Sequence, residues 1–378
     1  MDNNKLSKAR RDKKDEFYTQ YHDIEKEISA YVEFNPKVFK GKTILLPCDD
    51  PEWSNFTKYF AQNFQRYEIK KLISTSFAVE SKSYKEGYQP TLFERNDPNY
   101  NKKKTRINGK IFTLTKDKSG DGKIDVNDLE WDYLKGDGDF RSKEINKLKD
   151  EADIIITNPP YSLWREFFKF LIDAKKSFVI ISNKSSVTYK EVFPFIKANR
   201  VWSGKTDWSG GMWFETKYPD DYDKVINGIK MKNTPSLWLT NIGHGKRHKE
   251  LQLMTMQENL KFSKHKEIQG KKGYFKYLNY NAIEVPFTDA IPKDYPGQMG
   301  VPITFLDKYN PSQFEIIGNG QTMADELGIK PVGQKFVDDY YNQGNKGQIN
   351  EKWNNLVYYD GKKACVPYQR IIIKHKKI

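Results

Sequence analysis

The chain has 378 residues, with 64 basic against 50 acidic side chains and a formal charge of +14. It is too long for a one-helix module, can bury a substantial core in one large or two medium domains, and is basic enough to favour a polyanionic partner such as nucleic acid. Cys48 and Cys365 are too few for a disulfide framework or a thiolate metal site, and no apolar run approaches a signal peptide or membrane span, so a soluble cytoplasmic protein is expected.

Residues 1–14 read as a flexible basic arm. Over 18–33, Ile24, Ile28, Tyr31 and Val32 recur at helical spacing, with Thr19 positioned to cap the start. A strand at 43–48, a helix around 55–64 and a strand at 71–77 follow as a βαβ beginning. Residues 78 to about 130, rich in Gly, Pro, Asn, Lys and Asp, read as an insertion with its own local structure. Alternation then returns with a helix near 143–151, a strand at 153–157, a helix over 163–174, a strand at 178–182 and a helix near 187–198. The pattern predicts a doubly wound, mainly parallel α/β sheet across 15–205. From 206 to 378 the chain is strand-like and aromatic, and reads as a recognition region with return strands to the sheet.

The stretch Asn158-Pro159-Pro160-Tyr161 directly follows the apolar run 153–157, which puts it at the end of a buried strand, where open α/β sheets hold ligands. The Asn158 side-chain oxygen and the Pro159 carbonyl can each accept one hydrogen of a planar amine, drawing its lone pair out of conjugation. Consecutive prolines Pro159 and Pro160 fix φ and remove donors, so the turn is rigid. Tyr161 offers a flat face for a base. Cys48-Asp49-Asp50-Pro51 and Gly138-Asp139-Phe140 are the natural neighbours at other strand ends, with carboxylates for hydroxyl or amine donors and a ring for an adenine. No glycine-rich loop follows the first strand, which argues against a phosphate-cradling site.

These motifs, together with Asp15-Glu16-Phe17-Tyr18-Thr19-Gln20, Lys135-Gly136-Asp137-Gly138-Asp139-Phe140-Arg141-Ser142, Ser209-Gly210-Gly211-Met212-Trp213-Phe214 and the stretch from Met299 to Tyr309, resemble the EcoRI-type adenine-specific DNA methyltransferases over nearly the whole chain. The resemblance implies a Rossmann-like fold, S-adenosylmethionine as methyl donor, double-stranded DNA as substrate, a flipped adenine as target and pairing with a restriction endonuclease; a methylase that modifies one strand at a time can act alone, so a monomer is expected. It implies that Tyr18 and Thr19 hold the methionine end of the cofactor, with Cys48, Asp49 and Asp50 beside it. Asp139 and Phe140 would meet its adenosine, and Asn158, Pro159, Pro160 and Tyr161 the adenine. Cytosine N4, RNA adenine and a protein glutamine amide pose the same lone-pair problem, and a non-enzymatic nucleic-acid-binding protein would also account for the charge.

Two further patterns stand apart. Asp117, Ser119, Asp121, Lys123, Asp125 and Asp128 fall at ligand positions of a structural calcium loop, although the last is Asp where Glu is usual and no clear helix enters. Lys246, Arg247 and Lys249, with Lys205, are candidate phosphate contacts. His244 and His248, four apart, have no third metal ligand beside them.

Overall fold

The computed structural model describes residues 18–49, 54–78, 98–216 and 220–377. Contacts group the chain into two units, one of 1–184 with 203–244 and one of 185–202 with 245–378. Among the described residues twelve strands run from Tyr18 to Thr240: β1 (Tyr18–Thr19), β2 (Thr43–Leu46), β3 (Lys71–Thr75), β4 (Lys110–Leu114), β5 (Glu130–Tyr133), β6 (Ile154–Thr157), β7 (Ser177–Asn183), β8 (Trp202–Ser203), β9 (Met212–Glu215), β10 (Lys224–Ile226), β11 (Ile229–Thr234) and β12 (Ser236–Thr240).

Eight of them form one mixed sheet in the order β5-β4-β3-β2-β6-β7-β12-β8. The centre β3-β2-β6-β7 is parallel, whereas β4, β5 and β12 join antiparallel. The sheet is therefore mixed rather than mainly parallel. Every residue of β2 and β6 is buried, as expected of parallel strands covered on both faces, whereas β4 alternates between buried and half-buried. Helix Tyr21–Phe34 buries Ile24, Ile28 and Tyr31, and helix Asn55–Gln62 buries Phe56, Tyr59 and Phe60 in the same core as β2 and β6. Helix Trp164–Ala174 buries Trp164, Phe167, Phe168, Phe170 and Leu171.

Three expectations change. Thr19 does not cap the first helix; it lies in β1, and the helix begins at Tyr21 after Gln20. The later part of the insertion is not a separate structure, because β4 and β5 extend the main sheet from β3; residues 79–97 lie outside the described set. The stretch read as a helix over 187–198 is a 3-10 turn, Lys184–Thr188, and a short helix, Phe193–Lys197, with Pro194 in its first turn. Proline lacks the N–H that would continue a helix from upstream.

A second sheet, β1-β9-β11-β10, is antiparallel, with Tyr18 opposite Glu215 and Thr19 opposite Phe214. The unit containing the C-terminus holds a four-stranded sheet, β13 (Ile283–Glu284), β14 (Met299–Pro302), β18 (Arg370–His375) and β15 (Phe314–Asn319) in that spatial order, and a hairpin of β16 (Tyr358–Asp360) and β17 (Lys363–Cys365). Ile371, Ile372 and Ile373 of β18 are fully buried. The Arg370 guanidinium grips the buried Glu284 carboxylate at 2.6 and 3.0 Å. Among the described residues no helix is long and apolar enough to cross a membrane.

Candidate active site

The chain leaves β2 toward β3 on one side and later returns to β6 on the other, so the carboxyl ends of β2 and β6 form the switch point at which open α/β sheets bind ligands. Asp49, buried just past β2, spans it. One carboxylate oxygen accepts the Ser54 hydroxyl at 2.9 Å, and the other accepts the hydroxyl of Thr157, the last residue of β6, at 2.6 Å. Ser54 in turn caps helix Asn55–Gln62 by accepting the Phe56 amide. The Asp49 carbonyl accepts the Ser74 hydroxyl of β3 at 2.7 Å. A carboxylate and three hydroxyls thus tie together the three strand ends that bear the motifs. Asn158 follows the tied Thr157 directly. Asp50 lies outside the described residues, and Cys48 is half-buried.

Thr19 joins the same cluster from the other sheet: its carbonyl accepts the Asn55 side chain at 2.8 Å. Its hydroxyl is buried and has no partner among the described residues. A buried hydroxyl without a partner is costly unless a ligand completes it. Tyr18, half-buried, is its neighbour in β1.

Past β6, Pro159 is buried, while Asn158, Pro160 and Tyr161 are half-buried. The Tyr161 hydroxyl lies 3.0 Å from Ser236 Oγ, which lies 2.5 Å from Thr234 Oγ1. This anchor at the β11–β12 junction holds the ring. No local pattern in the sequence marks Ser236 or Thr234, because the contact spans 75 residues.

The segment 135–142 docks at the end of β3. The Ala78 amide donates to the Asp137 carbonyl at 2.8 Å, and Gly138, at φ +85°, runs so close that an added Cβ would sit 2.2 Å from the Ser76 carbonyl oxygen. Glycine is required there on both counts. Arg141 donates its side chain and its amide to Asp139, which holds that carboxyl below its usual range. Arg141 also reaches Glu166 at 3.0 Å. Phe140 is buried edge-on against Phe167 and Phe170, at 5.1 and 5.7 Å between centroids, so it anchors the segment to the helix that follows Tyr161.

The remaining predicted residues have surroundings of their own. On the β4–β5 connection, Asp128 accepts the amides of Lys118, Ser119 and Asp125, the Ser119 amide foremost in holding its carboxyl at about 2. Asp117 accepts from Gly120 and Gly122, Asp121 from Lys123, and Asp125 from Asn127. Among the described residues no acidic or histidine groups gather as metal ligands, so this is a turn held by its own amides and calcium gains no support. Lys246 is enclosed with Asp307 at 2.7 Å. Arg247 is buried 3.6 Å over the Trp202 ring, bonds Asn199, and is pushed down to about 10 by burial. The side chains of Lys205 and Lys249 are exposed. His244 is buried, with Nε2 2.9 Å from the Ser203 carbonyl, while His248 is exposed.

Fold and site together define an α/β enzyme whose strand-end turn suits the capture of a planar amine. The chain belongs to the EcoRI-type adenine-specific methyltransferase family, whose model matches residues 5–376. It is similar to the Type II methyltransferase M.EcoRI of Escherichia coli, at 42% identity over 323 residues covering 83% of this chain and 89% of that one. It is also similar to the Type II methyltransferases M.MgeORF184P of Mycoplasma genitalium (31%, 99% of each chain) and M.MpnI of Mycoplasma pneumoniae (30%, 82% of this chain and 84% of that one). No solved structure gives a significant match. The protein is an adenine-specific DNA methyltransferase, and its family implies use of S-adenosylmethionine.

Proposed function

We propose that the chain is the modification enzyme of a restriction system and moves a methyl group from S-adenosylmethionine to N6 of an adenine flipped out of duplex DNA. The observation that carries the site assignment is the Asp49 bridge, which fixes Asn158 relative to the strand ends proposed to hold the cofactor. When bound, S-adenosylmethionine would supply a methyl group on a cationic sulfur, which would leave as a neutral thioether. Asn158 and the Pro159 carbonyl accept the two amine hydrogens and aim the nitrogen lone pair in line with that methyl group. As the new N–C bond forms, the nitrogen becomes cationic, and the same two oxygens stabilise it until the surplus proton leaves to water. Pro159 and Pro160 keep the turn stiff, and Tyr161, held at Ser236, stacks on the base.

The cofactor fits these residues. The buried Thr19 hydroxyl needs a polar partner, and no glycine stands between Pro47 and Ser54 to cradle a phosphate, which S-adenosylmethionine does not carry. Tyr18 and Thr19 would hold its methionine end, Cys48, Asp49 and Asp50 the middle, and Asp139 with Phe140 the adenosine. The parallel centre β3-β2-β6-β7 supports a Rossmann-like, doubly wound reading. Residues 206–378 serve target recognition, with Lys205 and Lys249 as phosphate contacts and Lys246 and Arg247 as internal braces. The enzyme acts as a cytoplasmic monomer.

The test is incubation with methyl-labelled S-adenosylmethionine and unmodified duplex DNA, followed by digestion to nucleosides and mass spectrometry. Label on adenine N6 is expected. Label on cytosine, or on no base while cofactor still binds, overturns the reading.

A further inference from the structure

Among the described residues, four of the eleven exposed large apolar side chains fall within eight positions: Tyr222, Val225, Ile226 and Ile229, each 42–52% exposed. Val225, Ile226 and Ile229 sit at the far end of the β10–β11 ribbon, and Tyr222 precedes its base. β10 is the last strand of its sheet among the described residues, and all its residues are exposed. The turn is Asn227-Gly228, at φ +49° and +80°, the two-residue geometry that matches strand twist and makes a stiff hairpin. Asp223 braces its base by accepting the Asn233 amide, and Lys232 bridges Asp221 and Asp223. A rigid ribbon with an aliphatic tip in water is not explained by folding.

Register shows what the ribbon presents. Ile226 stands opposite Ile229, and Lys224 opposite Met231, on the face that also carries Trp213 and Tyr18. Lys224 lies 3.6 Å over the Trp213 ring. At the other end, Thr234 bonds Ser236, the residue that anchors Tyr161. From Thr234 to Ile229 the strand spans roughly 17 Å, and a two-stranded ribbon fits a major groove about 12 Å wide and 8.5 Å deep. Lys224 and Lys230 flank the tip with the charge that phosphates require, and no acidic residue lies between Asp223 and the end of β11.

We infer that the β10–β11 ribbon enters a groove of the substrate duplex beside the target adenine, with Ile226 and Ile229 as an apolar wedge against the neighbouring bases. This rests on the reading of duplex DNA as substrate. An apolar wedge unstacks a base step, which lowers the cost of extruding the adenine that Tyr161 receives. The ribbon thus couples groove contact to base flipping.

The experiment compares the full-length wild type with I226S/I229S and with the conservative I226L/I229L. It uses a duplex carrying the mapped target site, with 2-aminopurine in place of the methylated adenine for the fluorescence arm. The serine variant should keep its melting temperature and cofactor Kd, raise the duplex Kd about tenfold, and lose most of the 2-aminopurine fluorescence rise. The leucine variant should restore both. The inference is overturned if the serine variant binds and extrudes like wild type, or if its only change is conversion of a dimer to a monomer, which would make the free edge of β10 a self-association surface. Failure of wild type to label adenine defeats the functional reading instead, and the duplex Kd comparison still decides the ribbon.

Discussion

Replacing Gly138 by Ala should damage both folding and cofactor binding, and the size of the effect follows from geometry. At φ +85° an L-residue bears a backbone penalty of roughly 1–2 kcal/mol. The new methyl would lie 2.2 Å from the Ser76 carbonyl oxygen and near the Gly109 Cα, both main chain, so the segment must retreat by about 1 Å to reach contact distance. Retreat weakens the Ala78 amide to Asp137 carbonyl bond, worth about 1 kcal/mol. A total loss of roughly 2–4 kcal/mol is expected from urea unfolding. The same 1 Å displaces Asp139, so cofactor affinity by calorimetry should fall at least tenfold, by about 1.4 kcal/mol. A variant with wild-type unfolding midpoint and cofactor Kd would refute the close-packing argument. Normal stability with altered Kd would place the strain in the bound state alone.

Other outcomes follow from the same cluster. Asn158→Ala should lower kcat by about 10²–10³ with little change in melting temperature, and a variant within twofold of wild type removes Asn158 from the chemistry. Asp49→Ala leaves the Ser54 and Thr157 hydroxyls without their acceptor, at about 1–3 kcal/mol each; chemical denaturation should show a loss of roughly 2–6 kcal/mol, and a negligible loss contradicts the bridge. The Asp128 carboxyl sits at about 2 in the fold against an ordinary 3.8, so its contribution is present above pH 3.8 and lost as pH falls through about 2. The Ser119 amide resonance should move across that window and stay fixed in Asp128→Asn. Excess calcium should give no heat and no thermal shift; a clear calorimetric isotherm contradicts the self-satisfied turn.

The centre of the fold was legible because its strands announce themselves. The runs at 43–48 and 153–157 are largely apolar and that at 71–77 is rich in strand formers around Leu72 and Ile73, and each contains an observed strand shorter by one to two residues. The turn Asn158–Tyr161 lies after β6 as its sequence position required. What failed to show was determined at long range. The fate of Thr19 depends on Phe214, nearly 200 residues away, whose pairing draws it into a strand against its local role as a cap. The basic cluster looked free because sequence shows charge without partners: Asp307 and Trp202, which enclose Lys246 and Arg247, are distant in the chain. The aspartates at 117–128 looked like ligands because an amide-satisfied turn uses the same residues as a calcium loop. Ser236 could not be anticipated, since nothing local distinguishes it from any other serine in a strand.

The antiparallel seat of β12 on β7 has a consequence for biosynthesis. Its partner strand ends at Asn183, but β12 is not complete until Thr240, so the ribosome must add nearly sixty residues before that edge is covered. Throughout that interval the nascent chain presents β7, almost wholly apolar from Phe178 to Ile181, as an open template for pairing with other chains. Expression of a fragment ending near residue 205 would make that transient exposure permanent. Such a fragment should be recovered in inclusion bodies, whereas the full-length chain should be recovered in the supernatant.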